Sequence, residues 1–401
     1  MAIPRVRPGN YPAVLSYGFR PFFLLGSLYA GLTILAWLPM LSGRLETASV
    51  FAPVDWHIHE MIFGYVAAIV TGFLLTAIPN WTGRLPVQGL PLAALVAIWL
   101  AGRLAVFFSV DIGWLAAALI DSSFLLAVAV AAAVEIIAGR NWRNLKVLVP
   151  VSILFAANVA YHLEVHVNGE ADIARRLGIG ATVILIMIIG GRIIPSFTRN
   201  WLARQTPGRL PVPFNRFDAV TILGSAVALL AWTCFPDHVA SGAALLAAGA
   251  LNVARLGRWA GDRTWRDPLV VILHVAYAFV PVGFLLAALA VLLPDAVAPA
   301  AGLHAFGTGA IGAMTLAVMS RATLGHTGRA LHAGNATCMV FVAVVASAIL
   351  RIAYAFLPGT TSLLHASAAA WTLAFLGYAA VYGGMLLRPK LRARQANAAP
   401  S

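Results

Sequence analysis

The sequence has very little charge for its length. Only 10% of its 401 residues are Asp, Glu, Lys or Arg, whereas 61% are hydrophobic. Soluble globular chains carry roughly 25% charged residues, so the composition excludes an ordinary soluble protein. The charged residues form no run long enough to be a separate soluble domain. We therefore predict one integral membrane domain over residues 1–401, surrounded by the lipid bilayer.

Cysteine is nearly absent. Cys234 and Cys338 are the only two, and both lie in apolar segments. No C-x-x-C or C-x-x-C-H sequence occurs, which argues against thiolate metal clusters and covalent c-type haem attachment. The net charge of +13 does not indicate a nucleic-acid partner, because the basic residues fall in short loops between apolar segments.

Long apolar runs fill the rest of the chain and predict an all-α polytopic membrane protein. A span needs about 20 apolar residues. We predict twelve helices near 21–40, 57–79, 90–109, 113–137, 147–167, 177–195, 217–235, 239–255, 268–293, 300–320, 334–357 and 362–387. Most of the 27 basic residues then fall on one side of the membrane, so the positive-inside rule predicts that both termini are cytoplasmic.

The second predicted helix begins with an unusual group of ionisable residues, His57, His59 and Glu60. Ionisable groups in membrane helices are costly and are functional candidates by default. Residues two apart on a helix point roughly 200° apart. Either the helix begins between the two histidines or they serve two different centres. The plainer alternative is a polar cap at the membrane interface.

Helix five places Asn158, His162 and His166 four residues apart, on one helix face. Two histidines at this spacing can chelate a metal ion, although a helix end exposed to solvent would look the same. Nearby carboxylates would orient such histidines, because a ligating imidazole usually donates its second N–H to one. Glu60, Asp121 and Glu164 lie at suitable predicted depths.

An internal similarity relates helices two and ten. The segments from His59 and from His304 align without a gap, with Gly64 on Gly309. This alignment suggests three pseudo-repeated arcs of four helices. Below His304 runs a stripe of small residues, Ala305, Gly309, Ala313 and Ala317, which permits close approach of another helix or of a flat macrocycle.

On the predicted inner side, His274 and His326 are candidates for a second metal site. The alternative for His326 is a polar turn that contacts lipid headgroups or neighbouring loops.

Several segments resemble the NnrS family of bacterial membrane proteins. They are 18–23 (GFRPFF), 56–83, 190–200 (GGRIIPSFTRN), 273–277 (LHVAY) and 304–329. The resemblance implies a protein of the bacterial inner membrane, associated with haem, copper and nitric oxide metabolism or stress.

A weaker resemblance links the chain to the core subunit of haem–copper oxidases and nitric oxide reductases. Those proteins have twelve helices and carry haem histidines on helices two and ten. The sequence His57-x-x-x-Met61-Ile-Phe63 is similar to their helix-two motif, which makes His57 the haem ligand, whereas the internal repeat favours His59. Both remain candidates, with His304 as the partner ligand.

These resemblances imply one or two haem b groups and copper, since imidazole suits both metals. Arg103 and Arg351 would then pair with haem propionates, unless they only extend to the membrane interface. We expect a protein that binds or processes nitric oxide. The alternatives are a quinol-linked nitric oxide reductase or oxidase-like enzyme, and a transporter for a metal, haem or small solute.

The predicted topology can be tested with reporter fusions. Reporters placed after Arg84, Arg204 and Arg392 should read as cytoplasmic and one at Asp237 as periplasmic, because basic loops stay inside. A periplasmic signal at Arg204 would contradict the twelve-helix topology.

Overall fold

The computed structural model describes residues 10–391, and no residue in that range lies in a β-strand. Twelve helices are long and apolar enough to cross a membrane, which confirms the predicted number. They are α1 Phe19–Leu41, α2 Pro53–Thr82, α3 Leu90–Phe107, α4 Trp114–Ala138, α5 Leu148–Asn168, α6 Ile173–Leu202, α7 Arg216–Cys234, α8 Val239–Gly257, α9 Pro268–Leu292, α10 Pro299–His326, α11 Asn335–Phe356 and α12 Thr361–Leu387.

The chain divides into two compact units. Of the described residues, the first unit comprises 10–178, 322–330 and 378–391, and the second comprises 179–321 and 331–377. The first unit therefore contains α1 to α5, the start of α6 and the last turns of α10 and α12. The second contains the rest of α6, all of α7, α8, α9 and α11, and most of α10 and α12.

Several helices continue through a proline. Helix α6 was predicted to end at residue 195, but it continues through Pro195 to Leu202. Pro79 and Pro281 likewise lie inside α2 and α9. Proline removes one backbone hydrogen bond, and neighbouring helices and local adjustments make this tolerable within a membrane bundle.

Helices α2 and α10 share an uncommon feature. Each contains a π-helical segment, Glu60–Val66 in α2 and Ala305–Gly312 in α10. Each segment begins directly after the histidine that the gapless alignment superposes, His59 or His304. Because π-helical turns are rare and often mark functional sites, this shared feature supports the predicted similarity of the two helices.

In the first unit, Arg20 holds the end of α12. Its Nη1 donates to the carbonyl oxygens of Leu386 and Arg388 at 2.8 and 2.6 Å. The last carbonyls of a helix lack partners within the helix. Arg20, from the GFRPFF segment, satisfies them and ties the C-terminal end of α12 to α1.

A buried polar network holds the second unit together. Arg255 of α8 donates from Nε to Asp218 of α7 at 2.9 Å and from Nη1 to the hydroxyl of Tyr277 of α9 at 2.8 Å. The Tyr277 hydroxyl in turn donates to Asn252 at 2.8 Å. Gly191 is required beside this network, because a Cβ there would lie 2.1 Å from Arg255 Nη2.

We predict that Arg255→Ala destabilises the second unit by about 3–5 kcal/mol, because Asp218 would lose its closest buried cationic partner. Arg84→Ala is the control. It removes the Arg84–Glu135 ion pair, which is solvent-accessible, and should change stability little. Thermal unfolding of the purified proteins in detergent measures both effects, and equal melting temperatures would contradict the prediction.

Candidate metal site

Five helices of the first unit bring polar side chains to one buried place. Helix α2 contributes His59 and Glu60, α3 contributes Arg103, and α4 contributes Asp121. Asn158 and His162 come from α5 and Tyr29 from α1. We call this group the His59 cluster. Polar side chains at this density within an apolar bundle are costly and indicate a site.

Three metal-ligating side chains converge in the cluster. Nε2 of His59 lies 3.2 Å from Oδ2 of Asp121, and Nε2 of His162 lies 3.1 Å from the same oxygen. One ligating atom from each of the three residues falls within 4.8 Å of the others. His59, Asp121 and His162 are 0%, 1% and 2% exposed, so an ion between them would be removed from bulk water.

The contacts of His59 fix its tautomer. Nδ1 lies 2.9 Å from Oε1 of Glu60, and a carboxylate can only accept, so Nδ1–H donates to it. In a neutral imidazole Nε2 then carries a lone pair, yet it faces Asn158 Oδ1 at 3.0 Å and Asp121 Oδ2 at 3.2 Å. Exchanging the amide atoms of Asn158 would relieve only the first contact. A proton on Nε2, which makes the ring an imidazolium, or a metal ion bound there would relieve both.

The net charge of the cluster also favours an added positive charge. Arg103 donates from Nη1 to Oε2 of Glu60 at 2.5 Å and from Nη2 to Oδ1 of Asp121. The hydroxyl of Tyr29 donates to Glu60 as well. With His59 neutral, two carboxylates against one guanidinium leave one negative charge, and an uncompensated buried charge is expensive. Either a proton on Nε2 of His59 or a bound metal ion would balance this charge.

Two glycines allow these groups to approach. A Cβ on Gly64 would lie 2.7 Å from Arg103 Nη1 and 2.8 Å from Glu60 Oε2. A Cβ on Gly102 would lie 2.9 Å from Oδ1 and 3.1 Å from Cα of Asp121. Within the π-helical segment of α2, the Gly64 carbonyl accepts a hydrogen bond from the indole N–H of Trp99 at 3.0 Å.

Aromatic rings enclose the histidines. Phe51, Phe63 and Tyr161 have ring centroids 5.0, 5.1 and 5.2 Å from that of His59. The hydroxyl of Tyr161 is held by the carbonyl of Asp55 at 2.9 Å. Aromatic rings therefore border the polar cluster and lower the local dielectric constant, which strengthens electrostatic interactions inside it.

The two histidines of α2 occupy different surroundings. The helix begins at Pro53, before both residues, so the alternative of a start between them is excluded. His59 is fully buried in the cluster, whereas the ring of His57 stacks on Trp37 of α1 at 4.2 Å. His57 and His59, the two predicted haem ligands on α2, therefore have different neighbours, and both ring nitrogens of His59 contact protein oxygens.

The residues that were predicted to support the ligands also differ from one another in their contacts. Glu60 orients His59, as expected of a carboxylate behind a ligand. Asp121 was expected in that supporting role, but its Oδ2 lies among the candidate ligating atoms. Glu164 instead accepts from the backbone N–H of Ala174 at 3.0 Å, at the start of α6. Arg103 was predicted to pair with a propionate, and it pairs with Glu60 and Asp121.

The remaining candidates lie outside the cluster. His166 stacks on Trp114 at 3.9 Å in the first unit, and His326 packs on Tyr17 and Phe19 there, at 5.8 and 5.4 Å.

In the second unit, His274 Nε2 lies 2.8 Å from the hydroxyl oxygen of Thr198. His304 donates from Nδ1 to the carbonyl of Ala300 at 2.7 Å. The guanidinium of Arg351 lies over Tyr354 at 5.1 Å.

The small-residue stripe of α10 packs against α9. A Cβ on Gly309 would lie 2.5 Å from the ring of Phe279, and one on Gly302 would lie 2.7 Å from the backbone of Ala287. Ala305, Ala313 and Ala317 are fully buried. Along this face the stripe serves helix packing, which was the plainer of the two sequence interpretations.

Sequence reasoning did not single out Tyr29, Phe51 or Gly102. No motif marks them, and each acquires its role only through contact with a distant segment. Asn158 was detectable, because it lies one turn before His162 on the same helix face.

Comparison with known families gives one match. A family model described as NnrS protein matches residues 13–390, nearly the whole chain. No curated protein matches the sequence.

Proposed function

The chain belongs to the NnrS family, and on that premise we propose that it is a bacterial inner-membrane protein that holds copper and takes part in the nitric oxide response. The observation that carries the proposal is the convergence of His59, Asp121 and His162 in a buried, apolar place. The other groups of the cluster orient these ligands and balance their charge.

Both the donor set and the charge bear on the choice of metal. Two imidazoles and one carboxylate suit copper, zinc and iron, and the same combination occurs at non-haem iron centres. With His59 neutral, as a metal ligand must be, the cluster carries one negative charge. A cuprous ion neutralises this charge, whereas a divalent ion leaves one positive charge in a buried site. We therefore favour copper in its monovalent form.

The residues around the proposed ion position have different roles. Glu60 fixes the His59 ring so that Nε2 points at the ion position, and Arg103 keeps Asp121 in place. Phe51, Phe63 and Tyr161 exclude water from His59. When bound, copper would supply a redox-active centre that can bind a small ligand such as nitric oxide.

Metal analysis tests the site. We expect His59→Ala and His162→Ala each to remove about one copper per chain, because two remaining ligands hold a buried ion poorly. His365→Ala is the control, since this exposed histidine only contacts the carbonyl of Thr361 within its own helix. Full copper content in both site variants would refute the proposal, and stoichiometric zinc or iron in the native protein would replace copper by that metal.

Haem is a second proposal and rests on the sequence resemblance. Because His59 is proposed as a copper ligand, we assign haem ligation to His57 on α2 and to His304 on α10, as the resemblance implies. Haem ligation by histidine gives a b-type spectrum, and one or two such groups are proposed.

We predict that His304→Ala abolishes or reshapes the haem absorption spectrum and that His57→Ala does the same. His59→Ala should spare haem while lowering copper, because the two α2 histidines have different surroundings. A wild-type haem spectrum and stoichiometry in the His304→Ala protein would exclude this ligand.

An enzymatic role is the alternative function. A quinol-linked nitric oxide reductase would consume nitric oxide when supplied with quinol, whereas a binding protein would not. A transporter would lack a haem spectrum with reversible reduction. These two measurements on purified protein separate the three possibilities.

A further inference from the structure

A cavity of about 340 Å³ lies in the first unit beside the His59 cluster. The α1–α2 loop, the α3–α4 connection, the start of α4 and α5 all contribute to its lining, which includes Phe51, Val110, Gly113, Trp114, His162 and His166. His162 belongs both to the His59 cluster and to the cavity lining, whereas the other residues of the cluster do not line the cavity.

The lining changes from exposed to buried along the cavity. Val110, Gly113 and His166 are exposed, whereas Phe51 and His162 are buried. The exposed residues mark a mouth and the buried ones a floor. The floor adjoins the candidate metal ligands, because His162 Nε2 lies 3.1 Å from Asp121 Oδ2.

Two imidazoles line this cavity, that of His166 at the mouth and that of His162 at the floor. His166 lies one helical turn beyond His162 on the same face of α5, and its ring is held parallel to Trp114 at 3.9 Å. Nδ1 of His162 is buried and finds no hydrogen-bond partner among residues 10–391. A path for a neutral gas needs no such nitrogen donors, whereas imidazole nitrogens suit copper and other transition-metal ions.

Phe51 closes the floor. Its ring lines the cavity and packs against His59 at 5.0 Å and His162 at 5.1 Å. Phe51 lies in a loop between α1 and α2, and that loop is held to Ser109, whose hydroxyl accepts from the N–H of Val50 at 2.9 Å. A small movement of this ring would join the cavity to the site.

We propose that this cavity is the loading route of the metal site: His166 receives a cuprous ion at the mouth, His162 accepts it at the floor, and Phe51 limits its final entry. The inference rests on the proposed copper site and adds the direction from which the ion arrives. The negative charge of the His59 cluster draws a cation inward.

Loading kinetics test the route. Protein stripped of copper by a chelator would be mixed with cuprous ion buffered by a chromophoric chelator, and uptake followed by the chelator's absorbance. Val110→Trp, which fills the mouth, and His166→Ala, which removes its ligand, should each slow loading about tenfold, equivalent to roughly 1.4 kcal/mol of barrier. Both variants should reach the native copper content.

Phe51→Ala should act in the opposite direction and accelerate both loading and release, because it removes the barrier but none of the ligands. Val167→Trp is the matched control for Val110→Trp. It adds the same exposed bulk at the end of α5 but does not line the cavity, so it should load at the native rate.

The outcomes separate the two proposals. Native loading rates in Val110→Trp and His166→Ala, with full final copper content, would overturn the route and leave the metal site standing. Equal slowing by Val167→Trp would also overturn it, because a general effect of surface bulk would then explain the result. If the native protein takes up no copper, the proposed site itself fails.

Discussion

The first unit depends on Arg103, which contacts both buried carboxylates of the His59 cluster. A guanidinium can donate two hydrogen bonds in fixed directions and stays charged in apolar surroundings. It therefore holds Glu60 of α2 and Asp121 of α4 at a set separation. Glu60 then fixes His59, and Asp121 contacts both cluster histidines. Without this cation, α2 and α4 would each bury a carboxylate that lacks its guanidinium partner.

The buried arginine of the second unit has a different set of partners. Its buried Arg255 contacts one carboxylate, Asp218, and its remaining contacts are to neutral groups such as the hydroxyl of Tyr277. Asp218 also lies 3.6 Å from Nη1 of Arg258, so two guanidinium groups face one carboxylate there, and the network joins α7, α8 and α9. In the His59 cluster two carboxylates share one arginine. The balance of charge is thus opposite in the two units, and it is the His59 cluster that needs a further positive charge, from a proton or a metal ion.

The sequence predicted the helices well because the bilayer restricts the choice. A span must be long, apolar and helical, and these properties are visible in composition alone. The count of twelve and the position of α2 follow from this restriction. Helix ends were less predictable, as the continuation of α6 through Pro195 shows. The tolerance of a proline depends on neighbouring helices, which a single sequence does not display.

For the site, the sequence by itself determined which residues were available: histidines on α2, α5 and α10, and the sparse carboxylates Glu60, Asp121 and Glu164. The tertiary structure alone decided their roles. It placed Asp121 beside His59 and His162, gave Arg103 to the carboxylates, and turned Glu164 to a helix end. Sequence spacing describes only one helix at a time, whereas a ligand set is made by side chains from several helices that meet in space.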